Sequence, residues 1–562
     1  MGIRKEVYDY IVIGAGTAGG VVAKELSDDF GTSVLALEAG TNMTDELSSA
    51  SNPGSGLLAS DNRHSFQIMS TVEPNINSQL RISGGRAIGG SSEHNAMYAV
   101  RGSRELYDQW GDLVGSQWNY DNISSLFIKN ETYTGETQDP SQRGIDGPIY
   151  VRQQFIPEHE NGLVQILARA TSKVLNIPIV EDYNTGVKDC TFYKSQATNK
   201  PVEGGFVRSS TATGYLGTDV VTQGHELKPD EFGVGERDLT IFAKTTVNKI
   251  LFKQKNGVQV AVGVEYVKNG KTKTAYAKKG IILSAGNFSS VILQRSGIGN
   301  PTDLEKIGVS TIVDSPNVGH NFQTQFNGGV GVEVETSRLL EVRDADPNLP
   351  FPLGAFKGEG ATGGRRLQIY SSLTPSFLPP SVVIENDWAF NENKETNVMS
   401  IGPFDNNPRS RGTILAAHSD PEAYPTVHLN PLTDQNDLEF MINQYIEIYN
   451  IMKEARRLDP EGRYKLVYPS EDVFEITNEA DKRAEIAKYV KAAYRNIQHF
   501  GGQCRMATSI QDGVVDGYLN VFGTENLKVA DLSISPILPD GNTAIPSQMV
   551  GLACVRFIEE GF

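Results

Sequence analysis

Three glycines spaced Gly14-x-Gly16-x-x-Gly19, with Glu38 about twenty residues further on, form a pattern that can hold a dinucleotide. Such glycines allow a tight turn and let the backbone, here including Thr17 and Ala18, approach a pyrophosphate at a helix N-terminus. An acidic side chain at the position of Glu38 can accept both ribose hydroxyls of an adenosine and disfavours a 2'-phosphorylated cofactor. The pattern alone does not distinguish FAD from NAD. No second strand-linked fingerprint occurs, which argues against a two-nucleotide reductase drawing electrons from NADH.

The elements around this turn must aim it. Apolar Tyr8 to Ile13, the glycines, a helix through Val21 to Leu26 and a strand from Ser33 to Glu38 predict a βαβ unit. β-Rich stretches return at Leu239 to Phe252, Val260 to Val267 and Gly280 to Ser284, so distant chain is expected to complete the same sheet. From about Asn321 to Pro408 the composition shifts to Pro, Gly and Asn with short β-like runs, which suits an antiparallel second domain. A helix opened by Thr433 or Asp434 follows, with Leu438, Met441, Ile442, Tyr445, Ile448 and Met452 at helical spacing. Further helices are expected from about Asn478 to Tyr494 and from Ala544 to Glu560.

Composition narrows the functional classes. At 562 residues the chain exceeds one core, and 39% apolar with 21% charged residues is that of a soluble globular protein. No apolar run is long enough for a membrane span. A net charge of -17 with scattered basic residues opposes nucleic acid as a partner. Cys190, Cys504 and Cys554 are too few and too dispersed for a disulfide framework or a Cys-x-x-Cys metal site, and read as reduced core thiols. The first strand starts too early to leave room for a signal peptide, so a cytoplasmic location is expected; a secreted chain trimmed of its leader stays open. Nothing in the sequence sets an oligomeric state.

The remaining motifs resemble the glucose-methanol-choline (GMC) oxidoreductases along nearly the whole chain. Leu37-Glu38-Ala39-Gly40 resembles that family's ribose-binding strand end. Gly84-Gly85-Arg86 through Gly89-Gly90-Ser91-Ser92-Glu93-His94-Asn95 and Met97 resembles its flavin-contacting loop. Arg208-Ser209-Ser210-Thr211-Ala212, Ser284-Ala285-Gly286 with Ser296-Gly297-Ile298-Gly299, and Asn317-Val318-Gly319-His320-Asn321 are similar to later family segments. Two departures stand out: Ser290-Val291 replaces a usual Ser-Pro, and Thr324-Gln325 stands where Asp-His is frequent. The C-terminal run His499-Phe500-Gly501-Gly502, then Val529-Ala530-Asp531, then Gly541-Asn542-Thr543, is the most specific match.

The resemblance implies FAD and a mixed α/β and α+β fold, with a Rossmann-like FAD-binding domain beside an antiparallel sheet that roofs the flavin. On the residue pattern the FAD domain is discontinuous, residues 1–157, 215–320 and 495–562, and the substrate domain comprises 158–214 and 321–494. Besides the glycine turn and Glu38, the implied cofactor residues are Arg86, Gly90, Ser91, His94, Asn95, Met97, Val247 and Asp531. His94 is expected to bond the flavin 8α-methyl covalently, the alternative being a histidine packed beside a non-covalent flavin.

The implied reaction takes an alcohol to an aldehyde or ketone by hydride transfer to flavin N5, the reduced flavin being reoxidised by oxygen or another acceptor. Histidine suits the proton step, since its ordinary pKa of about 6.5 leaves a neutral imidazole available. By position His499 is the implied base and Asn542 the residue that hydrogen-bonds the substrate oxygen. His64, His159, His225, His418 and His428 read as structural, and His320 as a packing residue near the cofactor. A hydroxynitrile lyase that keeps FAD without redox turnover is the alternative, and a light-driven decarboxylase a remoter branch. Trp388, Phe390 and Tyr370 are candidates for the pocket wall, though the substrate itself is not legible.

Overall fold

β1 (Glu6–Ile13) ends in Ile11, Val12 and Ile13, all buried, as expected of a strand covered on both faces. A computed structural model describes residues 6–43, 62–346, 351–360, 363–388 and 397–562. After β1 the chain turns through its glycines into α1 (Gly19–Leu26), which buries Val21, Val22, Ala23 and Leu26. It then returns as β2 (Val34–Leu37), parallel to β1 in the register Tyr10 to Val34 through Ile13 to Leu37. On its other side β1 pairs in parallel with Lys271–Leu283, which itself pairs with Leu527–Val529.

Among the described residues this sheet has nine strands, drawn from chain as far apart as Glu6 and Val529. The β-rich stretch expected from Leu239 to Phe252 is two strands, Leu239–Phe242 and Thr245–Lys255. Lys244 interrupts it with φ of 49°, a left-handed conformation that a continuous strand cannot contain.

Among the described residues the second sheet has eight strands and is antiparallel. Its centre is Arg365–Ser372 beside Val398–Asp405, both buried along their whole lengths. Alternation splits each strand between two environments. Leu367, Ile369, Met399 and Ile401 join the core beneath the long helix Gln435–Leu458, whose Met441, Ile442, Tyr445, Ile448 and Met452 meet them. Tyr370 and Phe404 instead join an aromatic cluster with Tyr98, Phe192 and Phe356. Asp434 caps that helix by accepting from the Asn436 amide at 2.8 Å, and Asn478 caps the next one, Glu479–Ala493.

Strand Gln323–Asn327 joins the sheet to Arg495–Gly501, a strand near the C-terminus. The last helix, Ala544–Glu559, closes the chain. Cys190, Cys504 and Cys554 are buried, and burial pushes all three thiols above their ordinary pKa. No helix among the described residues is long and apolar enough to cross a membrane.

Candidate functional site

A cavity of about 540 Å³ opens between the ends of β1 and β2 and the aromatic face of the second sheet. Its wall at the nucleotide end includes Gly14, Gly16, Thr17, Ala18 and Glu38. The glycine turn and the loop after Gly89 interlock there: the Gly89 amide donates to Ala15 O at 2.8 Å, and the Ser92 amide to Thr17 Oγ1 at 3.2 Å. Gly90 has φ of 57°, and a Cβ on it would lie 2.8 Å from the Gly16 Cα. Only glycine lets these two loops close into a cradle.

Glu38 is buried, its carboxylate accepting from the Ala15 amide at 3.0 Å and the Gly40 amide at 2.8 Å. Burial pushes its pKa up to about 7 against the pull of those amides. Asp531 is held similarly, accepting from the Gly286 amide at 2.9 Å, the Ser289 hydroxyl at 2.6 Å and the Ser533 amide at 2.8 Å. Gly90, Ser91, His94, Asn95, Met97 and Val247 line the same cavity. His94 follows a short turn of 3-10 helix, and Arg208 clamps this loop by donating to Ser92 O at 3.1 Å and Asn95 Oδ1 at 2.7 Å.

The His94 ring is buried, and its Nε2 has no hydrogen-bond partner among the described residues. Burial, followed by the charge of Arg208, pushes its pKa down to about 4. A buried ring nitrogen without a partner, on the wall of a glycine-built cradle, fits a prosthetic group seated against it.

Two of the expected cofactor residues do not reach the wall. Gly19 serves the turn itself, where a Cβ would stand 2.0 Å from Gly14 O. Arg86 folds back, donating from Nε to Ala39 O at 3.4 Å with its guanidinium 5.6 Å from the Phe66 ring centre. Trp388 also lies off the cavity, whereas Tyr370 lines it; Phe390 falls outside the described residues. His320 pairs instead with Asp303, 3.0 Å from Nε2 to Oδ2.

At the opposite end of the cavity stand His499 and Asn542, from segments 43 residues apart. His499 lies in a bulge of strand Arg495–Gly501, where the register opposite Thr324 and Phe326 jumps from Phe500 to Asn496. Gln498 takes φ of 64° in that bulge and pins it, its Oε1 accepting from the Ser83 amide at 2.7 Å and hydroxyl at 2.8 Å. The bulge turns His499 toward Gln325 on the facing strand.

The hydrogen-bond pattern then sets the imidazole tautomer. Gln325 Nε2 donates to Pro539 O at 2.7 Å, leaving its Oε1 to accept from His499 Nδ1 at 2.6 Å. His499 Nε2 therefore carries the lone pair, 3.4 Å from Asn542 Nδ2. The Asn542 carbonyl is already engaged, accepting from Gln368 Nε2 at 3.0 Å and the Tyr370 hydroxyl at 2.9 Å, so its amide NH2 faces the histidine. Burial pushes the His499 pKa down to about 3, which keeps the ring neutral. A proton acceptor and an NH donor thus converge on one small volume.

Gln325, Gln368 and Asp540 escaped sequence reading as site residues. Gln325 had been visible only as a departure from a motif, and Gln368 looks like one polar residue in a strand. Asp540, beside Asn542, accepts from the Ser103 amide at 2.8 Å and the Arg365 amide at 2.7 Å, anchoring the loop to both layers.

Comparison with known proteins agrees with this architecture. Residues 8–327 match the N-terminal model of the GMC oxidoreductases and residues 408–551 the C-terminal model. Human mitochondrial choline dehydrogenase is 30% identical over 97% of this chain and 89% of its own length. Oxygen-dependent choline dehydrogenase 1 of Chromohalobacter salexigens is 30% identical over 97% and 93%. A formate oxidase of Aspergillus oryzae shares the fold with a TM-score of 0.80 over 99% of each chain, at 20% identity. With both halves of one family signature met along a single chain, this protein belongs to the GMC oxidoreductases and is an FAD-dependent oxidoreductase.

Proposed function

We propose that the protein oxidises an alcohol to an aldehyde or ketone, with His499 as the base. The observation that carries this reading is the unprotonated His499 Nε2 facing the Asn542 amide across 3.4 Å at the cavity wall. An alcohol oxygen placed there accepts a hydrogen bond from Asn542 Nδ2 while its own proton points to His499 Nε2. Taking that proton raises the electron density on the carbinol carbon and makes its hydride easier to remove. The proton ends on Nε2, while Gln325 Oε1 holds Nδ1–H and so keeps the ring in one orientation.

FAD, when bound, supplies the hydride acceptor. The glycine turn, Glu38, the loop from Gly90 to Met97, Val247 and the turn held by Asp531 are the residues that would hold it. The name of the Chromohalobacter relative supports oxygen as the eventual acceptor, other acceptors being the alternative.

Anaerobic mixing with an alcohol panel tests the proposal: the flavin absorbance should bleach, and His499→Ala should slow bleaching about 10²- to 10⁴-fold with FAD content unchanged. An unaltered rate in that variant removes His499 from the role. Cyanide release from a cyanohydrin without bleaching would select the lyase reading instead.

A further inference from the structure

The helix Ser289–Arg295 ends on a guanidinium that neither the glycine turn nor the pair His499 and Asn542 employs. Arg295 stands immediately before the Ser296-Gly297-Ile298-Gly299 segment, is 5% exposed and lines the cavity. Its Nη1 donates to Asp420 O and its Nη2 to Val247 O, both at 3.3 Å, which is long for an N–H···O bond. Nε is buried and has no hydrogen-bond partner among the described residues. Burial pushes the Arg295 pKa down to about 10, against the pull of the Asp420 and Glu422 charges. A buried cation served by two long carbonyl bonds has an unmet demand for an acceptor.

The neighbours of Arg295 indicate what that acceptor is. The Thr245 amide donates to Glu38 O at 2.8 Å, so the strand that begins at Thr245 lies against the acid suited to an adenosine ribose. Thr245, Thr246, Val247, Ile292 and Pro421 line the cavity together with Arg295. A base attached to that ribose therefore meets this part of the wall. Val247, Ile292 and Pro421 offer apolar surface against which a flat heterocycle packs, and Arg295 offers an N–H. Adenine is uncharged, and its ring nitrogens carry in-plane lone pairs, the kind of acceptor a guanidinium N–H requires. The pyrophosphate has its own provision in the glycine turn.

We propose that Arg295 is a further cofactor residue, its Nε–H donating to a ring nitrogen of the FAD adenine. The contact gives the guanidinium the acceptor that the protein itself withholds. It also makes the affinity for FAD depend on the identity of the base, at a residue that belongs to none of the motif positions.

The test is a competition on the holoenzyme. His94→Ala protein, whose flavin has no bond to residue 94, is equilibrated with excess FAD and an equal amount of an analogue carrying CH in place of adenine N1, N3 or N7. The bound flavins are then counted after gel filtration. FAD should outcompete at least one of the three analogues by about 10- to 100-fold, the range for a hydrogen bond to a charged group. Adding Arg295→Leu should lower that ratio by about tenfold or more, because the donor is gone. An Arg295 that only braces Val247 and Asp420 would weaken FAD and analogue alike and leave the ratio where it was. Arg295→Met, closer in length and likewise without a donor, takes its place should the leucine variant not fold. A ratio that the variant does not change, or FAD and all three analogues bound equally by protein that keeps Arg295, overturns the proposal.

Discussion

The partner of His499 is an amide, and this has kinetic consequences. Gln325 carries no charge, so it orients the ring without raising its pKa, and burial alone pushes that pKa down to about 3. A base with a lowered pKa stays unprotonated further into acid. The rate of flavin reduction should therefore show no acid limb near 6.5 and should fall only as pH approaches about 3. Gln325→Leu should free the imidazole to take either tautomer and cut reduction about 10- to 100-fold, the scale seen for partners that orient a functional histidine. Gln325→Glu should move the acid limb upward, because a carboxylate stabilises the imidazolium. His94 has its own check. Retention of yellow colour by acid-denatured protein, lost in His94→Ala, is the outcome expected for a covalent flavin, and quantitative release from the unaltered protein contradicts it.

Among the elements, the loop from Pro539 to Asn542 does the most positioning for its length. Pro539 O fixes Gln325, Asp540 ties the loop to Ser103 and Arg365, and Asn542 faces His499. Asp540→Ala should leave two buried amides without acceptors, at about 1–3 kcal/mol each. Reduced thermal stability together with slower flavin reduction, at normal FAD content, is the expected signature. What the sequence revealed follows from how local each element is. The glycine fingerprint and the capped helices are read from residues close together in the chain, and the structure has them within a residue or two. The bulge that aims His499 depends on pairing between strands about 170 residues apart, which no spacing displays. Tyr370 and Phe404 look like ordinary alternating core residues until the second sheet fixes which face they occupy. Arg86 shows the limit of a local motif: its position is legible in sequence, but its packing against Phe66 and Ala39, both on the cavity wall, is set by the fold.

At the scale of the whole molecule, two cores meet across one cavity, and the walls come from both. A ligand in that cavity is bound only by the folded state and stabilises it by mass action. Free FAD at 100 times its Kd should add about 2.7 kcal/mol to apoprotein that is not covalently loaded. The expected observation is a melting temperature that rises with FAD concentration; a temperature independent of FAD would mean the cavity does not bind it.

The cavity's wall runs in sequence from Ile13 to Ser547, with β1 near one chain end and the last helix at the other. Synthesis proceeds from the N-terminus, so the glycine turn exists for almost the entire time of translation before its opposing wall is made. The cavity is therefore complete only once the segment carrying Asn542 has been made, and a chain cut short before it would display the dinucleotide fingerprint without the residue that faces His499.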